Sequence, residues 1–525
     1  MKDYDYIVVG AGSAGAVLAS RLSENPRNQV LLVEAGGDTH FLSRFPISFG
    51  LFIEKPGVNW LYQSTPEANT GNREIPVPRG KMLGGSSAVN GLRAGLGEGS
   101  RSNRRYNTWA QMGAKGWSWQ DVAPVFTRIE GYEKGGRDGR GKDGPLRISE
   151  VPDQSPLYDA LFKAAEASGY KLNHDYNSEG PGSGQDAKRA SGTDCAERRQ
   201  MPGARPQTGE SHHSHQRAYA PREARWQAVH GHRLRDARQR SRGQCPPGRD
   251  LVCRRRCDAA NRHELSGIGN PACRSMASTC SMRWRRWAGE NFRDHLNVRR
   301  LIWPIKQKSL SLQSPGCGRW ARAQVHVLAR WGSSVCCIRA HAGVPQEPAP
   351  TWRRLTCRCI VPYSIKGSED EAAAGFPVDV DVVLPAATRK SRHHHIRSRN
   401  RDQPEIRFNP CPTLSISGRW WMASKIVRKI VGPSWTNCAA RVCAGKKVQS
   451  DDEILEYIRT TAQTAYHPIG TCRMGPEGRN TVVDERLRVH GIKGLHVADA
   501  SIFPTMPSAT PMRRASWWAR RRLIC

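Results

Sequence analysis

Apolar positions at the start of the chain follow a strand pattern, then a helical pattern, then a strand pattern again. Residues 6–9 and residues 30–33 are short apolar runs, which are typical of buried strands. Between them, apolar residues recur at the spacing of a helix face, at Ala16, Leu18, Ala19 and Leu22. The pattern therefore predicts a strand–helix–strand unit that ends at Glu34.

The turn between the first strand and the helix carries Gly10, Gly12 and Gly15. In this pattern the first glycine permits a tight turn, the second lets the backbone approach a pyrophosphate, and the third lets helix and strand pack closely. The helix N-terminus adds N–H groups and a positive dipole end, and Glu34 can accept hydrogen bonds from a ribose diol. An isolated glycine triplet would be an ordinary turn, but the whole unit predicts an adenine-dinucleotide site. Its residues are Gly10, Gly12, Ser13, Ala14, Gly15, Glu34 and Ala35.

Residues 79–91 are a second glycine cluster, in which small residues would let the backbone lie against a flat group. Paired glycines followed by paired serines offer bare N–H groups and hydroxyls for contacts with a phosphate or a ring. A flexible loop is the alternative, but the apolar residues on both sides of the small ones argue against it. The predicted cofactor-binding residues here are Gly84, Gly85, Ser86, Ser87 and Asn90.

Together with both glycine clusters, several later segments resemble the glucose-methanol-choline oxidoreductase family in their order and approximate spacing. These segments are residues 265–269, 289–296, 466–475 and 497–504. The resemblance covers most of the chain and implies FAD as the cofactor, with Asp499 and Ala500 in a flavin-contacting segment. It implies an α/β fold, with a Rossmann-like FAD-binding domain and a discontinuous α+β substrate domain.

The expected domain organisation follows the same resemblance. It comprises an N-terminal FAD-binding region at 1–299, a connecting or substrate segment at 300–374, and a C-terminal region at 375–525 that returns to the FAD domain. Ser450 and Glu453 have the spacing of a capping box, which predicts a helix that leads into the loop bearing His467.

Oxidising an alcohol to an aldehyde removes a proton from oxygen and a hydride from carbon, and flavin accepts the hydride. The protein must supply a base whose pKa lies near the working pH, which suits histidine. His467 lies between Tyr466 and Pro468 in a glycine-flanked loop. From the residues alone a structural role is the more common one, whereas the resemblance implies that His467 is the catalytic base. His295, beside Asp294, is interpreted as structural.

The resemblance implies a dehydrogenase that oxidises a primary alcohol, choline-like or aliphatic, and passes electrons to a quinone or another acceptor. An oxidase of the same family that uses oxygen is the alternative. A basic nucleic-acid-binding protein competes from another class, because the net charge is +34 and the pI about 10.1. The basic residues are concentrated at 196–262, 273–287 and 511–522, however, while residues 1–92 carry mixed charge. Nucleic acid is therefore not predicted as a partner.

The arginine-rich segments are also rich in cysteine, tryptophan, histidine and proline, and cysteine is absent before Cys195. We interpret these segments as translation in a shifted frame, a hypothesis under which the chain is the inactive product of a frame-shifted gene. Residues 511–521 can be encoded so that the same DNA, read from its third base, gives Asn-Ala-Pro-Ser-Ile-Met-Val-Gly-Glu-Lys. This resembles the segment that the family has at this place. There the family has a His or Asn that holds the substrate oxygen, and the alternative reading restores an Asn directly after Thr510. As it stands, the chain is expected to be inactive or poorly folded, with irregular coil through much of 190–262.

Several cysteine and histidine groups could be offered as metal ligands. They are Cys253 with Cys257, Cys357 with Cys359, His212 and His213 with His215, and His393, His394 and His395. None forms a paired site with consistent spacing, so no metal is predicted. No apolar run reaches the roughly 18 residues of a spanning helix, and no signal peptide precedes the first strand. A cytoplasmic protein is expected, with peripheral association at the inner membrane face as an open alternative.

Overall fold

The computed structural model describes residues 4–38, 40–44, 49–90, 106–136, 139–148, 163–169, 171–173, 186–188, 226–230, 288–289, 291–305, 336–342, 355–361, 376–385, 396–398, 404–408, 450–478, 480–492 and 494–507. The strands are β1 (Tyr6–Val9), β2 (Val30–Glu34), β3 (Tyr62–Gln63), β4 (Pro76–Val77), β5 (Glu130–Tyr132), β6 (Leu146–Ile148), β7 (Lys171–Asn173), β8 (Asp186–Lys188), β9 (Trp226–His230), β10 (His295–Ile305), β11 (Cys336–Ala342), β12 (Leu355–Val361), β13 (Phe376–Pro385), β14 (Ile396–Ser398), β15 (Pro404–Ile406) and β16 (Ala462–Thr464). The α-helices are α1 (Ser13–Leu22), α2 (Phe49–Phe52), α3 (Trp119–Ile129) and α4 (Asp451–Thr461).

The strand–helix–strand unit at the start of the chain has the predicted arrangement. β1 and β2 pair in parallel, with Tyr6 opposite Val30. Val8 and Leu32 point into the core, each 1% exposed, and Leu18 of α1 belongs to the same buried cluster. The apolar alternation thus encodes strands whose inward side chains pack beneath the helix that connects them.

A third strand, β9, extends this parallel sheet within the arginine-rich segment. It pairs with β2 so that Trp226 lies opposite Val30, and the strand order is β1–β2–β9. These residues form a strand rather than the irregular coil expected for most of 190–262, because backbone pairing along the edge of β2 depends little on which side chains are present. The rest of that stretch lies outside the described residues.

The larger sheet is antiparallel, with strands in the order β11–β12–β13–β10–β16. Residues 378–384, in which valine alternates with aspartate at the start, lie within β13. β10 lies between β13 and β16, and Leu296 is opposite Thr464. Because β10 begins at His295 and β16 ends at Thr464, their pairing brings the segments that precede β10 and follow β16 together.

Helix α4 begins at the predicted capping box. The Ser450 hydroxyl accepts a hydrogen bond from the Glu453 N–H at 3.2 Å, and the Glu453 carboxylate accepts one from the Ser450 N–H at 2.9 Å. Ile458 faces the core at 2% exposure, and α4 leads directly into β16. Among the described residues, no helix combines the length and apolar character needed to cross a membrane.

The main hydrophobic core joins the two ends of the chain. Ala11 and Leu32 of the N-terminal unit share one buried cluster with Ile469, Ile502 and Phe503. The indole N–H of Trp109 also donates to the Thr505 hydroxyl at 2.7 Å. The segment after residue 468 therefore packs against the first strand–helix–strand unit, across the whole length of the sequence.

Candidate active site

The first glycine turn is packed too tightly to hold side chains. Gly10 has a φ of +92°, in the left-handed region that favours glycine. A Cβ on Gly15 would lie 1.8 Å from the Gly10 carbonyl oxygen. Gly12 is the N-cap of α1 and has no side chain to cap it, which suits a helix end whose N–H groups are to meet a phosphate.

Glu34 lies beneath this turn and is 3% exposed. Its carboxylate accepts hydrogen bonds from the Ala11 N–H at 2.7 Å and from the Gly36 N–H at 2.8 Å. A carboxylate has further acceptor positions, so these bonds are compatible with the predicted contact to a ribose. The sequence interpretation missed that Glu34 also holds the glycine turn in place.

The second glycine cluster packs directly on the first. The Gly84 N–H donates to the Ala11 carbonyl at 2.8 Å, and a Cβ on Gly85 would lie 2.8 Å from the Cα of Gly12. Both glycines have positive φ, +86° at Gly84 and +53° at Gly85. We call residues 10–15, 34–36 and 80–87 the cofactor cradle. The structure thus brings together the two glycine clusters that the sequence assigns to one cofactor.

The serines of the second cluster brace the loop itself. The Ser86 hydroxyl accepts from the Gly80 N–H at 3.2 Å, and the Ser87 hydroxyl donates to the Gly84 carbonyl. Asn90 is half-buried at the end of this described segment. These contacts hold the conformation in which the paired glycines meet the first turn.

The return segment around Asp499 and Ala500 packs into the same core. Asp499 accepts hydrogen bonds from the N–H of Ser501 at 2.9 Å and from its hydroxyl, at the start of a short 3₁₀ helix. Burial raises the pKa of Asp499 to about 6. The neighbouring Ala498 and Ile502 belong to the buried cluster that contains Ala11 of the cradle.

His467 lies in the loop after β16, where the backbone is fixed on both sides. Tyr466 has a φ of +64°, and a Cβ on Gly470 would lie 2.5 Å from the Asn291 carbonyl oxygen. The Asp294 carboxylate accepts from the His467 N–H at 2.9 Å and also from the Thr464 hydroxyl. The strand pairing of β10 with β16 therefore sets the position of the His467 backbone.

Arg79 connects this loop to the cofactor cradle. It is 8% exposed and donates from Nη2 to the Tyr466 carbonyl at 2.6 Å. Burial raises the pKa of Asp294 to about 6, while the Thr464 and His467 hydrogen bonds and the Arg79 charge act in the opposite direction. The sequence interpretation gave Arg79 no role, although a basic residue directly before the glycine cluster was visible.

His295 contacts the ring of His467. The two Nδ1 atoms are 3.0 Å apart and the rings are close to perpendicular, at 86°. We call Arg79, Asp294, His295, Thr464 and His467 the histidine site. The expectation that His295 is only structural missed this contact, because nothing in the local sequence pairs the two rings.

Other sequence predictions fall outside the described residues. These include residues 265–269, residues 508–512, and the side chains of all the cysteine and histidine groups considered as metal ligands. Within the described ranges, no group of at least three His, Cys, Asp or Glu side chains could hold a metal ion.

A glycine cradle for a dinucleotide, closed by the far end of the chain beside a buried histidine pair, is the architecture of a flavin-dependent oxidoreductase. Models of the GMC oxidoreductase family match residues 4–201 and residues 395–516. Oxygen-dependent choline dehydrogenases of Rhizobium johnstonii and Rhizobium meliloti are each 31% identical to the chain, over 95% of it and 91% of the relative. The chain belongs to the GMC oxidoreductase family, as the resemblance implied.

Solved structures agree on the fold. The pyridoxine 4-oxidase from Mesorbium loti superimposes with a TM-score of 0.71 at 22% identity, covering 98% of both chains. A formate oxidase variant of Aspergillus oryzae RIB40 gives a TM-score of 0.73 at 20% identity, covering 99% of this chain and 97% of that one. GMC oxidoreductases bind FAD, so the predicted cofactor is confirmed. The crowding at Gly15 and Gly85 fits it, because backbone rather than side chains would meet the pyrophosphate.

Proposed function

We propose that the chain oxidises a primary alcohol to the aldehyde, with His467 as the base. The observation that carries this proposal is that three contacts fix His467. Its backbone N–H bonds to Asp294, the preceding carbonyl of Tyr466 bonds to Arg79, and its ring contacts His295. Such restraint is typical of a side chain whose reactive nitrogen must meet a substrate in one geometry. Arg79 supports a position of His467 beside the flavin, because Arg79 bonds to the loop of His467 and directly precedes residues 80–87 of the cofactor cradle.

The chemistry divides between cofactor and protein. When bound, FAD supplies the acceptor for the hydride that leaves the alcohol carbon. His467 takes the hydroxyl proton, so that both electrons of the C–H bond leave with the hydride and the C=O bond forms. Gly10, Gly12, Gly15, Glu34 and the Gly84–Asn90 loop would hold FAD, and Asp499 and Ala500 would contact the flavin. Arg79 would hold the His467 loop beside that site through its hydrogen bond to the Tyr466 carbonyl.

The substrate class and acceptor rest on the relatives. The curated relatives are named as oxygen-dependent choline dehydrogenases, which supports a choline-like or aliphatic primary alcohol and leaves oxygen open as the acceptor. We propose a quinone or a similar acceptor, reached by peripheral association with the inner membrane face. The alternative is an oxidase, which the name of the pyridoxine 4-oxidase favours. Rapid hydrogen peroxide release with an alcohol and no added acceptor would decide for the oxidase.

The domain organisation is part of the proposal. Residues 1–299 would form the FAD-binding region and residues 375–525 would complete the substrate domain, joined by residues 300–374. The antiparallel sheet supports a substrate domain built from separate parts of the chain. β10 begins in the first of these regions, β11 and β12 lie in the second, and β13 and β16 lie in the third.

A second candidate is an inactive product of a frame-shifted gene. What favours it is that residues 511–521 can be encoded so that the alternative frame gives a family-like peptide at the expected place. Activity should therefore be measured on the chain as it stands and on a version in which the shifted segments 196–262, 273–287 and 511–522 carry the alternative reading, here called the restored version. Soluble, flavin-loaded protein of the unaltered sequence with normal alcohol oxidation would refute the frame shift.

The test of the base is His467→Ala in whichever of these proteins oxidises alcohols. Turnover should fall by about 10² to 10⁴, the usual contribution of a general base, while flavin absorbance is retained. The matched control is His490→Ala, because His490 is also half-buried and its ring contacts the Gly475 carbonyl and the Thr481 hydroxyl in its own segment. Near-normal turnover of the His467→Ala protein would remove His467 from the mechanism.

A further inference from the structure

The contact between His295 and His467 constrains where their protons lie. Each Nδ1 atom faces the other at 3.0 Å. A neutral imidazole carries a hydrogen on one nitrogen and a lone pair on the other, so a hydrogen bond between the two Nδ1 atoms needs one ring as donor and the other as acceptor. The direction of this bond therefore fixes the tautomers of both neutral rings.

The tautomer decides whether His467 is a base. If His467 donates from Nδ1, its Nε2 carries the lone pair and can take a proton from a substrate. If His467 accepts at Nδ1, its Nε2 carries the hydrogen, and the neutral ring has no basic nitrogen to offer there. Which nitrogen is protonated is set by the hydrogen bond that the other nitrogen makes.

His295 is held more firmly than His467. It is 4% exposed and is the first residue of β10, where its carbonyl accepts from the Ala465 N–H at 2.8 Å. His467 lies in a loop and is half-buried. A ring on a paired strand can orient a ring on a loop, which is the relation of a positioning residue to the group that reacts.

The Asp294 carboxylate does not orient the His467 ring. Asp294 accepts from the backbone N–H of His467 and from the Thr464 hydroxyl, which places its oxygens on the main chain and on β16 rather than on the His467 Nδ1. In a Ser-His-Asp triad the carboxylate binds the histidine Nδ1–H and holds the tautomer. Here the group at that nitrogen is a second histidine.

We propose that His295 accepts the Nδ1–H of His467 and thereby leaves the His467 Nε2 as the nitrogen that takes the substrate proton. This rests on the proposed function of His467 as the base. After proton transfer, His467 carries hydrogens on both nitrogens and keeps its Nδ1–H bond to His295, so the cation forms without a rearrangement of the pair.

Two variants separate hydrogen bonding from shape. His295→Asn keeps an acceptor atom at the δ position, while His295→Leu has the same branching at Cγ but accepts nothing. In the restored version, His295→Leu should lower kcat about 10- to 100-fold, the range for losing a residue that orients a functional side chain, with KM and flavin content unchanged. His295→Asn should recover most of that loss. Equal turnover of the two variants would overturn the proposal.

Nitrogen-15 NMR of histidine-labelled, FAD-loaded full-length chain gives a readout that needs no turnover. The His467 signals are assigned by their loss in His467→Ala. At a pH where the ring is neutral, Nδ1 should have the shift of a protonated nitrogen and Nε2 that of an unprotonated one, and His295→Leu should mix the two. The reverse pattern in the unaltered protein would refute the role of His295.

The two proposals fail in different ways. If His467→Ala retains turnover, His467 is not the base, whatever its tautomer. If His467→Ala is inactive but the Nδ1 of His467 is unprotonated, the proposed base survives and only the assignment of His295 falls.

Discussion

The cofactor cradle and the histidine site are built in opposite ways. The cradle is made of backbone, and an added Cβ at Gly15 or Gly85 would overlap neighbouring backbone atoms. The histidine site is made of polar side chains, and Asp294 and Arg79 hold the His467 loop through single hydrogen bonds. The cradle should therefore fail when an atom is added, whereas the histidine site should fail when one is removed.

The largest expected effect is Gly15→Ala in the cradle. The new methyl group would lie 1.8 Å from the Gly10 carbonyl oxygen, so β1 and α1 must separate, and we expect a loss of more than about 4 kcal/mol of stability and no retained flavin. The control is Gly37→Ala, because nothing lies within 4 Å of its added Cβ. Flavin absorbance after gel filtration measures both, and equal retention would show that the cradle tolerates added atoms.

Restoring the alternative reading from residue 511 tests whether the histidine site is incomplete in the present sequence. The restored Asn would supply a donor to the substrate oxygen, and a lost donor of this kind typically costs about 10² to 10³ in turnover. The restored version should therefore exceed, by that factor, a restored version with Ala in place of the new Asn. The unaltered chain should be less active than both. Equal turnover of all these proteins would contradict the frame shift.

The raised pKa of Asp294 predicts that the folded chain loses stability as the pH rises. The pKa of Asp294 in the folded chain is about 6, above the ordinary 3.8. Its contribution to the free energy of unfolding is therefore fully present below the pKa of the unfolded chain. That contribution is lost as the pH rises through the pKa of the folded chain. Between about pH 4 and about pH 7 this group should cost up to about 3 kcal/mol. Asp294→Asn removes the titration, and urea unfolding across that range should therefore show a shallower decline.

The control for this prediction is Asp499→Asn, because burial raises the pKa of Asp499 to about 6 as well. Each Asn variant should remove a separate part of the decline, since the two carboxyl groups do not bond to the same partners. Stability curves of Asp294→Asn and the unaltered protein that run parallel would show that Asp294 titrates normally in the folded chain.

The smallest expected effect is Arg79→Lys, which tests the link between the two regions. Arg79 donates from Nη2 to Tyr466 and from Nε to the Pro78 carbonyl at 2.6 Å, and a lysine lacks the planar fork needed for both. In the restored version kcat should fall about tenfold with FAD retained, about the effect of one neutral hydrogen bond. Arg73→Lys is the control, because Arg73 also donates to carbonyls, but to those of Arg459 and Ala462 and not to that of Tyr466. An equal loss of kcat in both variants would show that the effect comes from a general loss of packing and not from the hydrogen bond between Arg79 and Tyr466.

The sequence alone determined the cradle, because its information is local. Strand, turn and helix follow one another within residues 6–34, and the glycines there are needed by the backbone whatever surrounds them. The capping box of α4 is local in the same sense, since Ser450 and Glu453 bond within one turn. Such features can be predicted because the residues that interact are also neighbours in the chain.

Only the tertiary structure decided the histidine site. His295 and His467 are 172 positions apart, and Arg79 and Tyr466 are 387 apart. No periodicity carries these contacts, because the pairing of β10 with β16 and the return of the chain to the N-terminal core bring them about. The sequence could single out His467 as the candidate base, but the partner of its ring depended on which strands pair across the sheet.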